Sequence, residues 1–156
     1  MTFLPFFEWC EATRLGLVVR DSVWLFPVIE ATHLLGLSLL GGALLVVDLR
    51  LLGLGLTSTP TAVLARAVRP WLVAAVVLMA ATGVLLFLSE SVKCYYSQAF
   101  WLKITTLPVA LLFTFLVRER VARGEHTTGR QALLTGTVSI ALWFTVAAAG
   151  RWIGFS

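Results

Sequence analysis

The sequence predicts an all-α integral-membrane protein: a four-helix bundle of four transmembrane helices with a short N-terminal interfacial helix. Three observations predict it. The 156 residues are 59% hydrophobic and only 13% charged, whereas a soluble domain is nearer a quarter charged. Four apolar segments, at about 23–52, 70–89, 100–117 and 132–153, each approach or exceed the ~20 residues needed to cross a bilayer. The connections between them are short, which favours antiparallel neighbours. The spans take up most of the chain, so one domain, 1–156, is expected.

At the N-terminus, Phe3, Leu4, Phe6, Phe7 and Trp9 are mixed with Glu8, Glu11 and Arg14, the composition of a short helix lying at the outer membrane interface. Met1–Arg20 lacks the basic start and long apolar core of a signal peptide, so the first span is expected to be an uncleaved anchor. That span ends where Gly53, Gly55 and Thr57-Ser-Thr-Pro60 mark a turn. Thr61–Arg69 reads as a short helix leading into Pro70, a good first-turn residue for the second span. Glu90–Ala99 reads as a loop and Gly124–Gly129 as a turn. Pro27 and Pro108 fall inside spans, where proline can kink a helix. Trp24, Trp71, Trp101 and Trp152 fall near span ends, where indole rings favour the interface.

Orientation follows from the Lys/Arg distribution. Arg50, Arg66, Arg69, Arg118, Arg120, Arg123 and Arg130 fall to one side. Arg14, Arg20, Lys93, Lys103 and Arg151 fall to the other. The positive-inside rule then puts the first-to-second and third-to-fourth connections in the cytoplasm of a bacterium, with both termini periplasmic. Topology accounts for the pI of 9.7. No basic stripe carries interleaved aromatics, so nucleic-acid binding is not expected. Cys10 and Cys94 are both expected on the outer side, either joined in an oxidising compartment or as two free thiols.

The chemistry concentrates in the first span. Glu30 and His33 lie three residues apart in an uncharged, mostly aliphatic run, hence on one helix face. At ~100° per residue, Glu30, His33, Leu37, Gly41, Leu44 and Asp48 share about a quarter of the circumference, and this face is expected to point into the bundle. Ionisable groups inside a span are costly unless paired, buried in a bundle or bound to something. A neutral imidazole at the depth of His33 is a natural axial ligand for haem iron, with Glu30 or a backbone carbonyl orienting its other nitrogen. The competing readings are a structural hydrogen bond to Glu30 or a neighbouring helix, and proton or quinone chemistry.

Lys103 and Arg151, at the outer ends of the third and fourth spans, are placed to pair with haem propionates or to snorkel to headgroups. Met79, mid-span in the second helix, is a second-ligand candidate or core filler. Two His33 residues from two subunits, or an open sixth position, are the other arrangements. Asp48 and Arg50 read most simply as a local charge pair and topology anchor, with a proton entry point beneath Glu30 as the functional alternative. His126 reads as a solvated loop histidine. Thr135, Ser139, Trp143, Val146 and Gly150 line one side of the fourth span, where small residues allow close packing. No nucleophile–His–acid set shares one depth, which excludes a hydrolase.

Taken in order, Trp24…Pro27…Glu30…His33-Leu-Leu-Gly36, Asp48-Leu-Arg-Leu-Leu-Gly53, Thr82-Gly-Val-Leu-Leu-Phe87, Phe100-Trp-Leu-Lys103 and Ala149-Gly-Arg-Trp-Ile-Gly-Phe155 carry a resemblance over nearly the whole chain. It resembles a family of small bacterial four-span inner-membrane proteins of unknown function. That family is distantly similar to the copper-resistance protein D domain and to cytochrome b-type four-helix membrane proteins. The resemblance implies a second histidine near Val117; this chain has Phe115-Leu-Val-Arg118 there, so a second haem or metal site at that end is not expected. The leading expectation is a membrane electron-transfer protein with haem b near its periplasmic side. His33 is the metal ligand, Lys103 and Arg151 hold the propionates, and Glu30 tunes the imidazole or a proton. A quinone, a periplasmic cytochrome, a larger respiratory or photosynthetic complex, or further copies of the chain are the partners. The alternative is a cofactor-free accessory subunit in which these residues form a buried polar network. Copper handling would need Met and His clusters on the outer face, which the chain lacks.

Overall fold

In the computed structural model, residues 3–124 and 128–155 are described; His126 lies outside them. The described residues form helices and no strands: α1 (Leu4–Glu11), α2 (Arg14–Asp21), α3 (Leu25–Leu51), α4 (Thr61–Ser89), α5 (Ser91–Tyr96), α6 (Gln98–Leu112), a π-helical segment (Phe113–Arg118), α7 (Glu119–Arg123) and α8 (Gly129–Ile153). Four rods are long and apolar enough to cross a membrane: α3, α4, the continuous run Gln98–Arg123, and α8. They alternate in direction. Both chain ends therefore meet at one end of the bundle, the terminal end. The α3–α4 and α7–α8 connections lie at the other, the loop end.

Two spans extend further than expected. Thr61–Arg69 is not a separate short helix: α4 runs unbroken through Pro70. A proline inside a helix removes one backbone donor and crowds the preceding turn. Here Pro70 is exposed, and apolar packing along the rest of α4 carries the helix across it. Trp71 consequently lies well inside α4 rather than at its start, and it is exposed. The third rod continues past Val117 to Arg123 through the π-helical segment. Pro27 sits in the first turn of α3, where a missing donor costs no intrahelical bond. Side-chain caps set the starts of three helices. Thr13 accepts from the Gly16 amide, Ser97 from the Phe100 amide, and Thr128 forms a reciprocal capping box with Gln131.

Around the bundle, α3 packs on α4 and α8, and α6 packs on α8. Side chains join α4 to the third rod: Phe87 stacks on Phe100 at the terminal end, and Arg69 reaches Glu119 at the loop end. Leu40, Ala43, Leu44, Leu72, Ala75, Ala110, Trp143 and Val146 form the central apolar cluster. Lipid-facing positions such as Leu35, Val77, Leu112 and Phe144 stay exposed, as expected where the solvent is hydrocarbon. The expected stripe on α8 is observed: Thr135, Ser139, Trp143 and Val146 are buried.

The N-terminal segment is more than an interfacial float. Phe3, Phe6 and Trp9 are exposed, but Phe7 is buried among Phe87, Tyr95, Phe100 and Trp101, with ring centroids 5.2–6.1 Å away. It plugs the terminal end between α4 and α6. Helix α2 crosses α4 so closely that a Cβ at Gly16 would stand 2.5 Å from the Leu88 carbonyl oxygen. Glu11 ties these pieces together. One carboxylate oxygen accepts from the Val92 amide at 2.7 Å, the other from Arg20 Nη1 at 2.8 Å. Glu11→Ala is expected to cost about 1–2 kcal/mol, read as a lower melting temperature in detergent. Arg20→Ala, which removes only the more exposed bond, is expected to cost less.

Candidate functional site

His33 faces α4. Its Nδ1 lies 2.8 Å from Thr82 Oγ1, and that hydroxyl lies 2.7 Å from the Leu78 carbonyl oxygen. A hydroxyl has one proton to donate. A carbonyl only accepts, so the Thr82 proton goes to Leu78 and the Thr82 oxygen accepts from His33 Nδ1–H. This fixes the tautomer: Nε2 carries the lone pair. No buried side-chain nitrogen or oxygen among the described residues lacks a partner. Since Nε2 has no bonded partner, it is reachable from outside the packed interior.

Local packing sets the ring's position. A Cβ on Gly83 would stand 3.3 Å from His33 Cε1, so the imidazole lies close against the α4 backbone. One turn deeper, Met79 Sδ fills the space over Gly36, 3.2 Å from where its Cβ would be. The pairs His33–Thr82 and Gly36–Met79 set the antiparallel register of α3 and α4. They also place the Met79 sulfur beside α3, one turn from His33.

Lys103, on the interior face of α6, extends over Gly150 of α8; Nζ would stand 3.2 Å from a Cβ there. It is half-buried and has no ion-pair or hydrogen-bond partner among the described residues. Its charge reaches both His33 and the Cys94 thiol. Cys10 and Cys94 are buried and not joined. Burial, reinforced by the Glu90 carboxylate, pushes the Cys94 thiol up to about 11, so it stays protonated and unreactive near neutral pH. Burial likewise raises Cys10.

The Lys103 charge is felt at His33, whereas Glu30 and Arg151 are exposed and bond to neither. Glu30 is exposed on the flank of α3 and does not orient the imidazole; Thr82 does. The buried face of α3 is Gly36, Leu40, Ala43, Leu44, Val47, Asp48 and Leu51. Its centre is turned roughly a quarter of the circumference from Glu30 at 100° per residue. The packed face includes the small residues Gly36 and Ala43, which let α4 and α8 approach, and Glu30 in the second turn of α3 lies outside it. Arg151 is exposed at the end of α8, with its guanidinium 4.5 Å above the Phe155 ring, a cation–π contact.

A second polar constellation lies at the loop end, and sequence reasoning did not assemble it. Asp48 and Arg118 are both 1% exposed and form an ion pair through Arg118 Nε and Asp48 Oδ1. Arg118 Nη2 donates to the Leu44 carbonyl oxygen at 2.8 Å, and Ser139 donates to Asp48 Oδ2 at 2.7 Å. One turn above, Trp143 Nε1 donates to Thr114 Oγ1 at 2.9 Å. Asp48 is therefore not paired with Arg50, whose guanidinium caps the Thr57 and Thr59 carbonyls instead. The π-helical segment continues the interior face of α6 through Thr114 and Arg118; such widened turns are rare and concentrate at functional sites. The available signal was the resemblance itself, which placed a histidine next to the position Arg118 occupies.

Among the described residues no group of three or more His, Cys, Asp or Glu side chains could hold a metal ion. Two cavities, of about 780 and 280 Å³, open at the loop end; neither is lined by His33 or Lys103.

The fold and these two sites define a multi-pass α-helical membrane protein with a polar site at each end of an apolar core. Over residues 6–156 the chain belongs to DUF6644, a family of unknown function. No curated protein and no solved structure matches it.

Proposed function

We propose that this chain is an inner-membrane electron-transfer protein that binds a b-type haem through His33 Nε2 in the terminal half of the bundle. The carrying observation is the Leu78–Thr82–His33 chain of hydrogen bonds. It donates from Nδ1 and leaves Nε2 as a bare donor atom, the arrangement in which haem- and metal-ligating histidines are held. Lys103 is a cation without a carboxylate partner among the described residues, suited to a propionate. The residues fit one axial bond and one counter-charge. Glu30, Arg151 and Met79 are not needed for that fit. The second axial position is left to an exchangeable ligand or to His33 of a second copy.

When bound, the haem supplies one-electron redox chemistry. The protein's part is to hold the imidazole tautomer through Thr82 and to balance charge through Lys103. The Arg-rich loop end is assigned to the cytoplasm by the positive-inside rule, which sets both termini and the His33 half on the periplasmic side. A quinone, a periplasmic cytochrome or a larger respiratory or photosynthetic complex is the electron partner.

A second reading has its own support: His33 is already held by Thr82, and the loop-end ion pair is complete without any ligand. In that reading the chain is a cofactor-free accessory subunit and His33–Thr82 is an interhelical clamp. A visible spectrum of detergent-purified protein, made with haem available and then reduced with dithionite, separates the two. Sharp reduced bands of haem b support the first; a colourless protein leaves the second. Thr82→Val is expected to keep the bands but weaken haem retention by about 10–100-fold, measured by transfer to apomyoglobin.

A further inference from the structure

The loop end carries a feature with no role in the haem reading. A cavity of about 280 Å³ is lined by Arg69, Phe115, Leu116, Glu119, Arg120 and Arg123. Three arginines from two rods line it, and two of them, Arg69 and Arg123, pair with the nearly buried Glu119 carboxylate. Glu119 is bracketed by Arg123 Nη2 and Arg69 Nε, the latter at 3.7 Å. Each of those guanidiniums uses one nitrogen on Glu119 and keeps others for a further acceptor. Arg120 has no acid partner among the described residues and is exposed. One carboxylate against three guanidiniums leaves the cluster with an excess positive charge.

The setting identifies the acceptor. The cluster sits where the apolar third rod ends, at the depth of lipid headgroups. Below it Leu112, Leu116, Val73 and Val77 are exposed on the lipid-facing surface, and Phe115 and Leu116 are part of the cavity wall itself. A soluble anion would use the guanidiniums but gain nothing from this apolar wall. A phospholipid uses both, because its phosphate and its acyl chains span the same boundary. Basic pockets between transmembrane helices are the usual seat of anionic headgroups.

We propose that Arg69, Arg120 and Arg123, preset by Glu119, form a binding site for the phosphate of an anionic phospholipid, with its acyl chains along Phe115 and Leu116. Glu119 spaces Arg69 and Arg123 and holds α7 to α4. The added phosphate would engage their remaining donors and Arg120.

The test is lipid retention by the full-length protein in detergent, read by native mass spectrometry after exposure to equal phosphatidylglycerol and phosphatidylethanolamine. Wild type should retain phosphatidylglycerol in clear preference. Arg120→Ala/Arg123→Ala should lower that retention at least tenfold. Arg66→Ala, which removes a loop-end arginine outside the cluster, should leave it unchanged. Inorganic phosphate at matched concentration should not displace the lipid. Equal retention of the two lipids, unchanged retention in the double variant, equal loss in Arg66→Ala, or displacement by inorganic phosphate would each overturn the proposal. The melting temperature without added lipid, measured for every variant, separates loss of fold from loss of the site. If the double variant is unfolded, the comparison moves to Arg120→Gln alone, which keeps both Glu119 ion pairs and should still lose preference.

Discussion

His33→Ala is expected to reduce haem in the purified protein to background while the bundle still inserts and stays helical. The geometry explains why the effect should be near-total and the structural cost small. His33 Nε2 is the bare imidazole nitrogen offered by the chain's one described histidine, so no described neighbour replaces it. Meanwhile Thr82 keeps its bond to the Leu78 carbonyl, so losing the imidazole leaves no buried donor unsatisfied. The measurement is the haem-to-protein ratio by pyridine haemochrome, beside far-UV helicity. Added imidazole should restore part of the haem in the alanine variant, because the vacated space lies beside Gly83 and Thr82. Haem content that survives the substitution removes His33 as the ligand and shifts weight to the accessory-subunit reading.

Breaking the Asp48–Arg118 pair should produce the largest loss of stability available from a single side chain. Arg118→Ala leaves Asp48 buried with only the Ser139 hydroxyl for a partner. Asp48→Ala leaves a buried guanidinium with only the Leu44 carbonyl. Leaving one charge of a buried pair uncompensated costs about 3–5 kcal/mol. Arg118→Lys should fare little better, since an ammonium cannot donate to Asp48 and Leu44 from a planar fork. The double change Asp48→Leu/Arg118→Met should recover most of the loss, because well-packed apolar replacements of a buried pair are often neutral. Unfolding of wild type, Asp48→Leu, Arg118→Met and the double variant in mixed detergent micelles gives the four corners of the cycle. Additive single effects with no recovery in the double variant would show that the two residues do not act as a unit.

The candidate site was partly legible. His33 and Lys103 stood out because an ionisable residue within an apolar run is conspicuous at any register. Thr82 and Gly83 were visible as part of a motif, but their role was not, because threonine is a common and unremarked residue in membrane helices. Spacing alone puts Glu30 beside His33, and the structure leaves it exposed with Thr82 on the imidazole instead. It shares a face with His33 in the sense that i and i+3 are neighbours, yet the packed face is centred elsewhere. Arg118 was counted with the loop arginines, as its place beside Glu119 and Arg120 suggested. Its burial depends on a widened turn and on an aspartate 70 residues earlier.

What the sequence determined by itself is what depends on local composition: four apolar rods, their alternating direction, the turn at Gly53–Pro60, and the small-residue stripe on α8. In a bilayer these are set by hydropathy summed over ~20 residues, which needs no knowledge of neighbours. The tertiary structure alone decided which helix face is inward, that α4 continues through Pro70, that Thr82 rather than Glu30 holds His33, and that Asp48 meets Arg118 and Ser139. Those outcomes are set by packing between rods distant in sequence, where a rotation of a quarter turn or one widened turn moves a charge from lipid to core.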